Sequence, residues 1–241
     1  MILDKNRVFG LDTSHWTGIV DWKKAKSSGV IFMIAKAMDG SARIKYFKEN
    51  YLGAKSAGIF TGMYSWLYDS SVIDISTQAS SFAKMYSEFD TDIPPVIDFE
   101  WSKPVNPDYK DLKEYLRIFE NISGVTPMIY TAPAYWNAYG TQEQFWKKYP
   151  LWIANYGVNQ PTQIHPWGSD YKIWQWSDSY PSTDFGYPIN GEKECDINYF
   201  NGNIGEFRQW VNATPVKEKE LTQEQKVQIL WDSHKELHPV E

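Results

Sequence analysis

The 241-residue chain is predicted to fold as an irregular TIM-like β/α barrel with eight strands and five helices, (β/α)5(β)3, followed by a C-terminal helix. Three observations favour this α/β class. Five strand-then-helix units occupy the first 150 residues, and three further strands follow with no helical periodicity between them. The length is also within the range of one barrel domain.

The first five strands are short apolar segments, each followed by an amphipathic stretch. The helical stretches end at glycines such as Gly29, Gly58 and Gly124, as helices commonly do. Units of this kind in series imply a parallel sheet with right-handed crossovers. The predicted strands are RVFGLD (7–12), VIFMIAKAM (30–38), IFTGMYSWLY (59–68), PPVIDFEW (94–101) and TPMIYTA (126–132).

The pattern changes after residue 150, where three strands are separated by segments rich in Pro, Gly and Asn. These strands are LWIANYG (151–157), YKIWQWS (171–177) and ECDINYFNG (194–202). They complete a barrel domain that we expect to span residues 1–212.

The C-terminal tail differs in composition from the barrel. Residues 213–220 are polar and predict a linker, and residues 221–241 predict an amphipathic helix. Thr222 and Gln225 have the spacing of a capping box, and apolar side chains recur at helical spacing after them. We expect this helix to dock on its own barrel or to mediate self-association or contact with a partner chain.

Composition excludes several function classes. The net charge of −6 argues against a nucleic acid partner, because binding a polyanion needs a basic surface. The single cysteine, Cys195, excludes an intrachain disulfide and a cysteine-based zinc site. No apolar run has the length of a membrane span, and the first ten residues lack the apolar core of a secretory signal. We therefore expect a soluble chain made in the cytoplasm, with no membrane partner.

Two acidic residues lie inside the apolar segment PPVIDFEW. Asp98 and Glu100 are separated by one residue, so a strand would direct both side chains to the same face. Mutual repulsion and aromatic surroundings would raise their pKa values, leaving one protonated as a general acid and the other anionic. The alternative is an edge strand whose acids only contact solvent.

Two further acids are expected at the same barrel mouth. Asp12 ends the first strand and Asp196 lies in the last, and these two strands are neighbours in a closed barrel. Taken alone, each acid is better explained by a turn or a helix cap than by catalysis; the four acids together favour a shared site. A metal site built from Asp12, His15, Asp98 and Glu100 is a weaker alternative, because the four histidines are scattered. We expect no metal and no cofactor.

Aromatic residues form 17% of the chain, including 12 Trp and 16 Tyr. Core packing explains many of them, but Trp and Tyr also suit amphipathic ligands such as sugar rings. Polar and aromatic side chains near strand ends are therefore candidates for substrate binding, with packing as the alternative for each. They are Lys36, Tyr64, Trp66, Tyr130, Trp152, Asn155, Tyr156, Gln175 and Trp176.

Taken together, the motifs resemble glycoside hydrolase family 25, the lysozymes (N-acetylmuramidases) of bacteria and of phage endolysins. The resemblance runs in the family's order from residue 8 to about residue 200, through GLDTSHWTGIVDW, IAKAMDG, GMYSW, PPVIDFEW, MIYT, LWIANY, IWQWS and CDINYF. It implies a barrel with five helices and three final strands. It also implies that the family's four acids correspond to Asp12, Asp98, Glu100 and Asp196, with Glu100 in the general-acid position.

The activity implied by the resemblance is cleavage of the β-1,4 bond between N-acetylmuramic acid and N-acetylglucosamine. The implied partner is then the glycan strand of peptidoglycan. The enzyme would reach the bacterial cell wall after release, through phage or host lysis or through non-classical export. Two other classes stay open at this point: a non-catalytic wall-binding or phage structural module on the same barrel, and a metal-dependent hydrolase.

Overall fold

The computed structural model describes residues 2–188 and 191–213. Each predicted strand of the barrel is present, with ends that differ by a few residues from the predicted ones. Within the described residues the strands are β1 (Phe9–Thr13), β2 (Phe32–Asp39), β3 (Ala42–Arg43), β4 (Phe60–Trp66), β5 (Val96–Asp98), β6 (Met128–Thr131), β7 (Leu151–Ala154), β8 (Ile173–Pro181) and β9 (Glu194–Phe200).

The helices begin and end where the local sequence supplies caps. Asp108 accepts hydrogen bonds from the backbone N–H groups of Lys110 and Asp111, and the helix it caps ends at Gly124 in the left-handed conformation, with φ of +70°. In the same part of the chain the α-helices are α1 (Trp22–Ser27), α2 (Phe47–Ser56), α3 (Ile75–Glu88), α4 (Tyr109–Ser123), α5 (Pro133–Tyr139) and α6 (Ile204–Ala213).

The described strands other than β3 form a closed eight-stranded barrel, which confirms the predicted fold class. The order around it is β1, β9, β8, β7, β6, β5, β4 and β2, and a parallel pairing of β1 with β2 closes the ring. Neighbours are parallel except that β9 runs antiparallel to both β8 and β1. The two-residue strand β3 lies outside the ring as a hairpin on the end of β2.

The barrel interior and the layer between barrel and helices are two separate hydrophobic cores. Large side chains such as Phe32, Met128 and Trp152 fill the interior. Gly10 is needed there, because a Cβ atom at this position would lie 2.3 Å from the carbonyl oxygen of Phe32. The outer core contains the apolar faces of the helices, as expected for a barrel wrapped by amphipathic helices.

Helix α6 was not predicted from the sequence. It closes the end of the barrel at which the parallel strands begin. Phe207 is fully buried and stacks on Phe32 with ring centroids 5.4 Å apart. It also meets the rings of Phe60 and Phe200 edge-to-face, each with a centroid distance of 5.2 Å. Trp210 stacks on Phe200 at 5.4 Å. The last strand is therefore followed directly by a helix that packs into the barrel.

Two other sequence predictions are affected by the observed element ends. The strand predicted over 94–101 is only three residues long, so Glu100 lies just after β5 and not within it. β5 is also hydrogen-bonded on both sides, to β4 and β6, so the edge-strand alternative for its acids is wrong. The predicted linker 213–220, apart from Ala213, and the predicted helix 221–241 lie outside the described residues.

No helix among the described residues is long and apolar enough to span a membrane.

Candidate active site

Four acidic side chains meet at one mouth of the barrel and line a single cavity of about 200 Å³. Asp12 is near the end of β1, Asp98 is the last residue of β5, and Glu100 follows two residues later. Asp196 lies near the start of β9, but this strand is antiparallel, so its start is at the same mouth. Asp12 and Asp196 are direct register partners across the β1–β9 pairing.

Asp12 and Asp196 form a largely buried, hydrogen-bonded pair of acids. Burial raises the pKa of Asp12, and hydrogen bonds from Asp196, Asn198 and Gln175 oppose that rise. Burial and the negative charge of Asp12 raise the pKa of Asp196 well above its usual range. When the pair holds one proton, these opposite effects favour the proton on Asp196 and the negative charge on Asp12.

Two amide side chains hold the Asp12 carboxylate from the interior of the barrel. Gln175 donates from Nε2 to Asp12 Oδ2 at 2.9 Å, and Asn198 donates from Nδ2 to the same oxygen at 2.7 Å. Each amide oxygen is also occupied, because the Tyr130 hydroxyl donates to Gln175 at 2.8 Å and the Trp152 indole N–H donates to Asn198 at 2.8 Å. Buried polar groups in such a network fix one arrangement of the acid.

Asp98 and Glu100 have raised pKa values, mainly because they are taken out of water. Burial, followed by the charge of Glu100, raises the pKa of Asp98 well above its usual range, and its Oδ1 atom is buried with no hydrogen-bond partner. Burial raises the pKa of Glu100 to about 7. Glu100 thus keeps its proton up to about neutral pH, as a general acid requires. That one member of the Asp98–Glu100 pair is anionic stays a prediction of the sequence.

Lys36 provides the positive charge next to these two acids. Its Nζ atom lies 3.0 Å from Asp39 Oδ1 and 4.3 Å from the ring centroid of Trp66. The Lys36 charge lowers the pKa values of both Asp98 and Glu100, against the larger effect of burial. Lys36 is itself buried, so this charge is poorly screened by solvent.

Aromatic side chains form the walls of the cavity. Tyr130 and Tyr64 both meet the Trp152 ring edge-to-face, with centroids 4.7 Å and 6.2 Å from it. Trp66 and Tyr156 line the cavity nearer to solvent, and Tyr156 is 39% exposed. Burial and the nearby acids raise the pKa of the Tyr64 hydroxyl well above its usual range, so this group remains a hydrogen-bond donor.

The structure brings together most, but not all, of the candidate residues. Asn155 lies beside the mouth, where its side-chain oxygen accepts a hydrogen bond from the backbone N–H of Thr162 and so shapes a loop. Trp176 points away from the cavity, since it follows the inward-facing Gln175 on β8, and it packs on Tyr199 at 5.5 Å. We therefore leave Asn155 and Trp176 out of the proposed sugar-binding set.

Two residues of the site were missed from the sequence, one buried beneath the cavity and one in its lining. Asn198 follows Asp196 by two positions on β9, and strand alternation alone would have placed both on the inner face. Asp178 lines the cavity but follows an irregular pairing between β8 and β9, so the simple alternation of strand side chains does not predict where it points.

Within residues 2–188 and 191–213 no group of three His, Cys, Asp or Glu side chains is arranged to hold a metal ion.

Comparison with known proteins identifies the family. The sequence profile described as "Glycosyl hydrolases family 25" matches residues 11–185, well over half of the chain. The chain belongs to glycosyl hydrolase family 25. It is therefore a glycoside hydrolase, and the matched residues include three of the four acids, Asp12, Asp98 and Glu100.

Related family 25 proteins align with most of this chain. Lysozyme M1 of Streptomyces globisporus is 29% identical over 224 residues, covering 88% of this chain and 74% of that protein. The N,O-diacetylmuramidase of Chalaropsis sp. is 28% identical, over 76% of this chain and 94% of that protein. The autolytic lysozyme of Clostridium acetobutylicum is 30% identical, but this chain spans only half of its length.

Solved structures show the same barrel. The bacterial lysozyme from Streptomyces coelicolor matches with a TM-score of 0.74 and 25% identity, over 88% of this chain and 100% of that one. The family 25 lysozyme from Aspergillus fumigatus matches with a TM-score of 0.68 and 26% identity, over 85% and 98%. The architecture of this family 25 chain is thus the architecture of known lysozymes.

Proposed function

We propose that this family 25 chain is a muramidase that cleaves the β-1,4 bond between N-acetylmuramic acid and N-acetylglucosamine in the glycan strands of peptidoglycan. The observation that carries the proposal is Glu100, a carboxyl group with a pKa raised to about 7, in a cavity that also holds the anionic Asp12. The lysozyme and muramidase names of the family relatives support the substrate.

In the proposed mechanism Glu100 donates its proton to the glycosidic oxygen as the bond from that oxygen to C1 breaks. The leaving sugar departs as an alcohol, and positive charge develops on the sugar ring that remains bound. Addition of water at C1 discharges that ring and returns a proton to the Glu100 carboxylate. Asp12 is the fixed anion that stabilises this charge in a poorly solvated site. Asp98, with an unpartnered buried oxygen, would hydrogen-bond the 2-acetamido group of the substrate.

The aromatic walls are proposed to bind the sugar rings. Sugars have apolar faces and polar edges, and the exposed face of Tyr156 and the ring of Trp66 border the cavity on the solvent side. Tyr64 and Trp152 lie deeper and would limit how far a ring enters.

Mass spectrometry of digested peptidoglycan tests the proposed bond. The expected fragments carry N-acetylmuramic acid at the new reducing end. Fragments with N-acetylglucosamine there would show a different glycosidase specificity. Binding to cell walls without release of fragments would show a non-catalytic wall-binding module instead. Activity abolished by a chelator would indicate a metal-dependent hydrolase.

The kcat/KM for glycan cleavage should fall as the pH rises through about 7. Glu100 donates a proton only in its neutral form, and its pKa of about 7 means that this form is lost above neutrality. A profile of kcat/KM against pH on soluble glycan fragments measures the effect. A rate that stays flat well into the alkaline range would contradict the assignment of Glu100.

A Lys36→Met variant tests whether the alkaline limb of this pH profile reports the pKa of Glu100. The Lys36 charge lowers the pKa of Glu100, so its removal should raise that pKa and move the alkaline limb of the profile to higher pH. Lys113→Met is the matched control, since Lys113 is on α4 and pairs with Glu143 at the surface. An alkaline limb that moves to lower pH in Lys36→Met would contradict this account of the charge.

A further inference from the structure

Asn198 is a fully buried polar residue in the barrel interior. It lies on β9, two positions after Asp196, and both of its amide atoms are used. Its Nδ2 donates to Asp12 Oδ2 at 2.7 Å, and its Oδ1 accepts from the Trp152 indole at 2.8 Å. The residue thus links one cavity wall to the anionic acid.

The orientation of this amide follows from the chemistry of its partners. An indole N–H group can only donate, so the atom of Asn198 that faces Trp152 must be the oxygen. The atom facing Asp12 is then the NH₂ group, and the flipped amide would leave the indole without an acceptor and place an oxygen against the Asp12 carboxylate. Asn198 therefore presents a donor to Asp12 in every low-energy arrangement of these groups.

A fixed donor at Asp12 Oδ2 affects which acid of the Asp12–Asp196 pair is ionised. Asp12 Oδ2 accepts two amide donors, from Asn198 and Gln175, whereas no amide donor to Asp196 is found among the described residues. Hydrogen bonds to a carboxylate stabilise its charged form, so the negative charge is favoured on Asp12 and the proton on Asp196.

We propose that Asn198 is a positioning residue that keeps Asp12 ionised and correctly oriented, and that Trp152 sets its orientation. The catalytic consequence rests on the proposed muramidase function, because it requires Asp12 to stabilise positive charge on the sugar. The consequence for the ionisation of Asp12 does not depend on the substrate.

Other groups also face Asp12, and the tests must separate their effects from that of Asn198. The Tyr64 and Tyr130 hydroxyls are neutral, whereas Lys36 is cationic. Titratable and charged groups surround Asp12 on the elements packed against it. They are Lys36 on β2, Tyr64 on β4, Asp98 and Glu100 at β5, Tyr130 on β6, Tyr156 after β7, Asp178 on β8, Tyr187, Glu192 and Lys193 between β8 and β9, and Glu194, Cys195 and Asp196 on β9.

The first test uses the unmodified protein. A titration of ¹³C-labelled aspartate carboxyl groups, followed by NMR, reports the ionisation of each acid directly. As the pH is lowered, Asp196 should carry a proton at a pH where Asp12 is still ionised. Protonation of Asp12 before Asp196 would overturn the proposal, whatever the enzyme's activity.

The second test removes the donor. Asn198→Ala should raise the pKa of Asp12 and move the acidic limb of the kcat/KM profile to higher pH by about one to two units, the usual value of a hydrogen bond to a charged group. Asn198→Leu keeps the branched shape and approximate volume of the side chain but offers no donor to Asp12. Its acidic limb should move in the same direction and by a similar amount.

Asn201→Ala is the matched control. Asn201 lies just past the end of β9, is exposed, and donates to the backbone oxygen of Tyr171. Its pH profile should be that of the unmodified enzyme. A folded Asn198 variant with lower kcat but an unmoved acidic limb would show a purely structural role and overturn the proposal. If Asn198→Ala does not fold, Asn198→Leu and the NMR titration of the unmodified protein decide it.

These outcomes are distinct from failure of the proposed function. If the unmodified protein releases no muramic acid reducing ends, the muramidase proposal fails, and the NMR order of protonation still tests Asn198. If it releases them but the Asn198 variants keep the acidic limb, the function holds and the positioning role fails.

Discussion

A Glu100→Gln variant is expected to lose at least about 100-fold in kcat, because general acid catalysis contributes roughly that much or more. Glutamine keeps the shape of the side chain but has no acidic proton for the glycosidic oxygen. The fold should be unaffected, since burial raises the pKa of Glu100 and a neutral amide carries no charge to desolvate. Release of soluble fragments from purified peptidoglycan measures the rate.

Glu114→Gln provides the matched control for this substitution. Glu114 lies on α4, is exposed, and pairs with Arg117 at the surface, so its removal should leave the rate unchanged. The Glu100→Gln variant should still bind peptidoglycan with near-normal affinity, because the loss concerns a proton transferred only in the transition state. If the variant retained most of the rate, proton donation would have to come from another group, with Asp98 the nearest candidate.

The sequence predicted the barrel well because its signals are local and repeated. Apolar runs that end at Gly or Pro mark each strand and helix, and the acids at strand ends follow from the geometry of any barrel. Asp12, Asp98 and Asp196 were placed by this reasoning alone. Glu100 also lines the cavity. However, β5 ends at Asp98, so the strand alternation from which its position was predicted does not apply to Glu100.

The ionisation of the site could not be predicted in the same way. Which acid keeps its charge depends on the donors around it, and these come from strands far apart in sequence: Gln175 on β8 and Asn198 on β9 both donate to Asp12 on β1. Lys36, whose charge lowers the pKa values of Asp98 and Glu100, is likewise held by an ion pair with Asp39. Such contacts depend on side-chain rotamers that a sequence pattern does not specify.

The sequence did contain a signal for helix α6 that was overlooked. The Asn203 side chain accepts hydrogen bonds from the backbone N–H groups of Gly205 and Glu206, and the Glu206 carboxylate accepts from the backbone N–H of Asn203 at 2.7 Å. This is a reciprocal capping box in the form Asn-x-x-Glu. The helix is short, and Gly205 weakens its propensity, so its stability depends on Phe207 and Val211 packing into the barrel.

Phe207→Ala should therefore destabilise the whole barrel, by about 3–5 kcal/mol in the free energy of unfolding. The lost ring contacts Phe32, Phe60 and Phe200 on three different strands, so its removal leaves a cavity among them. Denaturant unfolding measures the change.

Ile204→Ala on the same helix is the control. Ile204 is 40% exposed, so its substitution should change the free energy of unfolding by no more than about 0.5 kcal/mol. Equal effects of the two substitutions would show that α6 does not close the barrel. Because Phe207 lies at the end opposite the acids, its variant should keep the unmodified pH profile at temperatures where it remains folded.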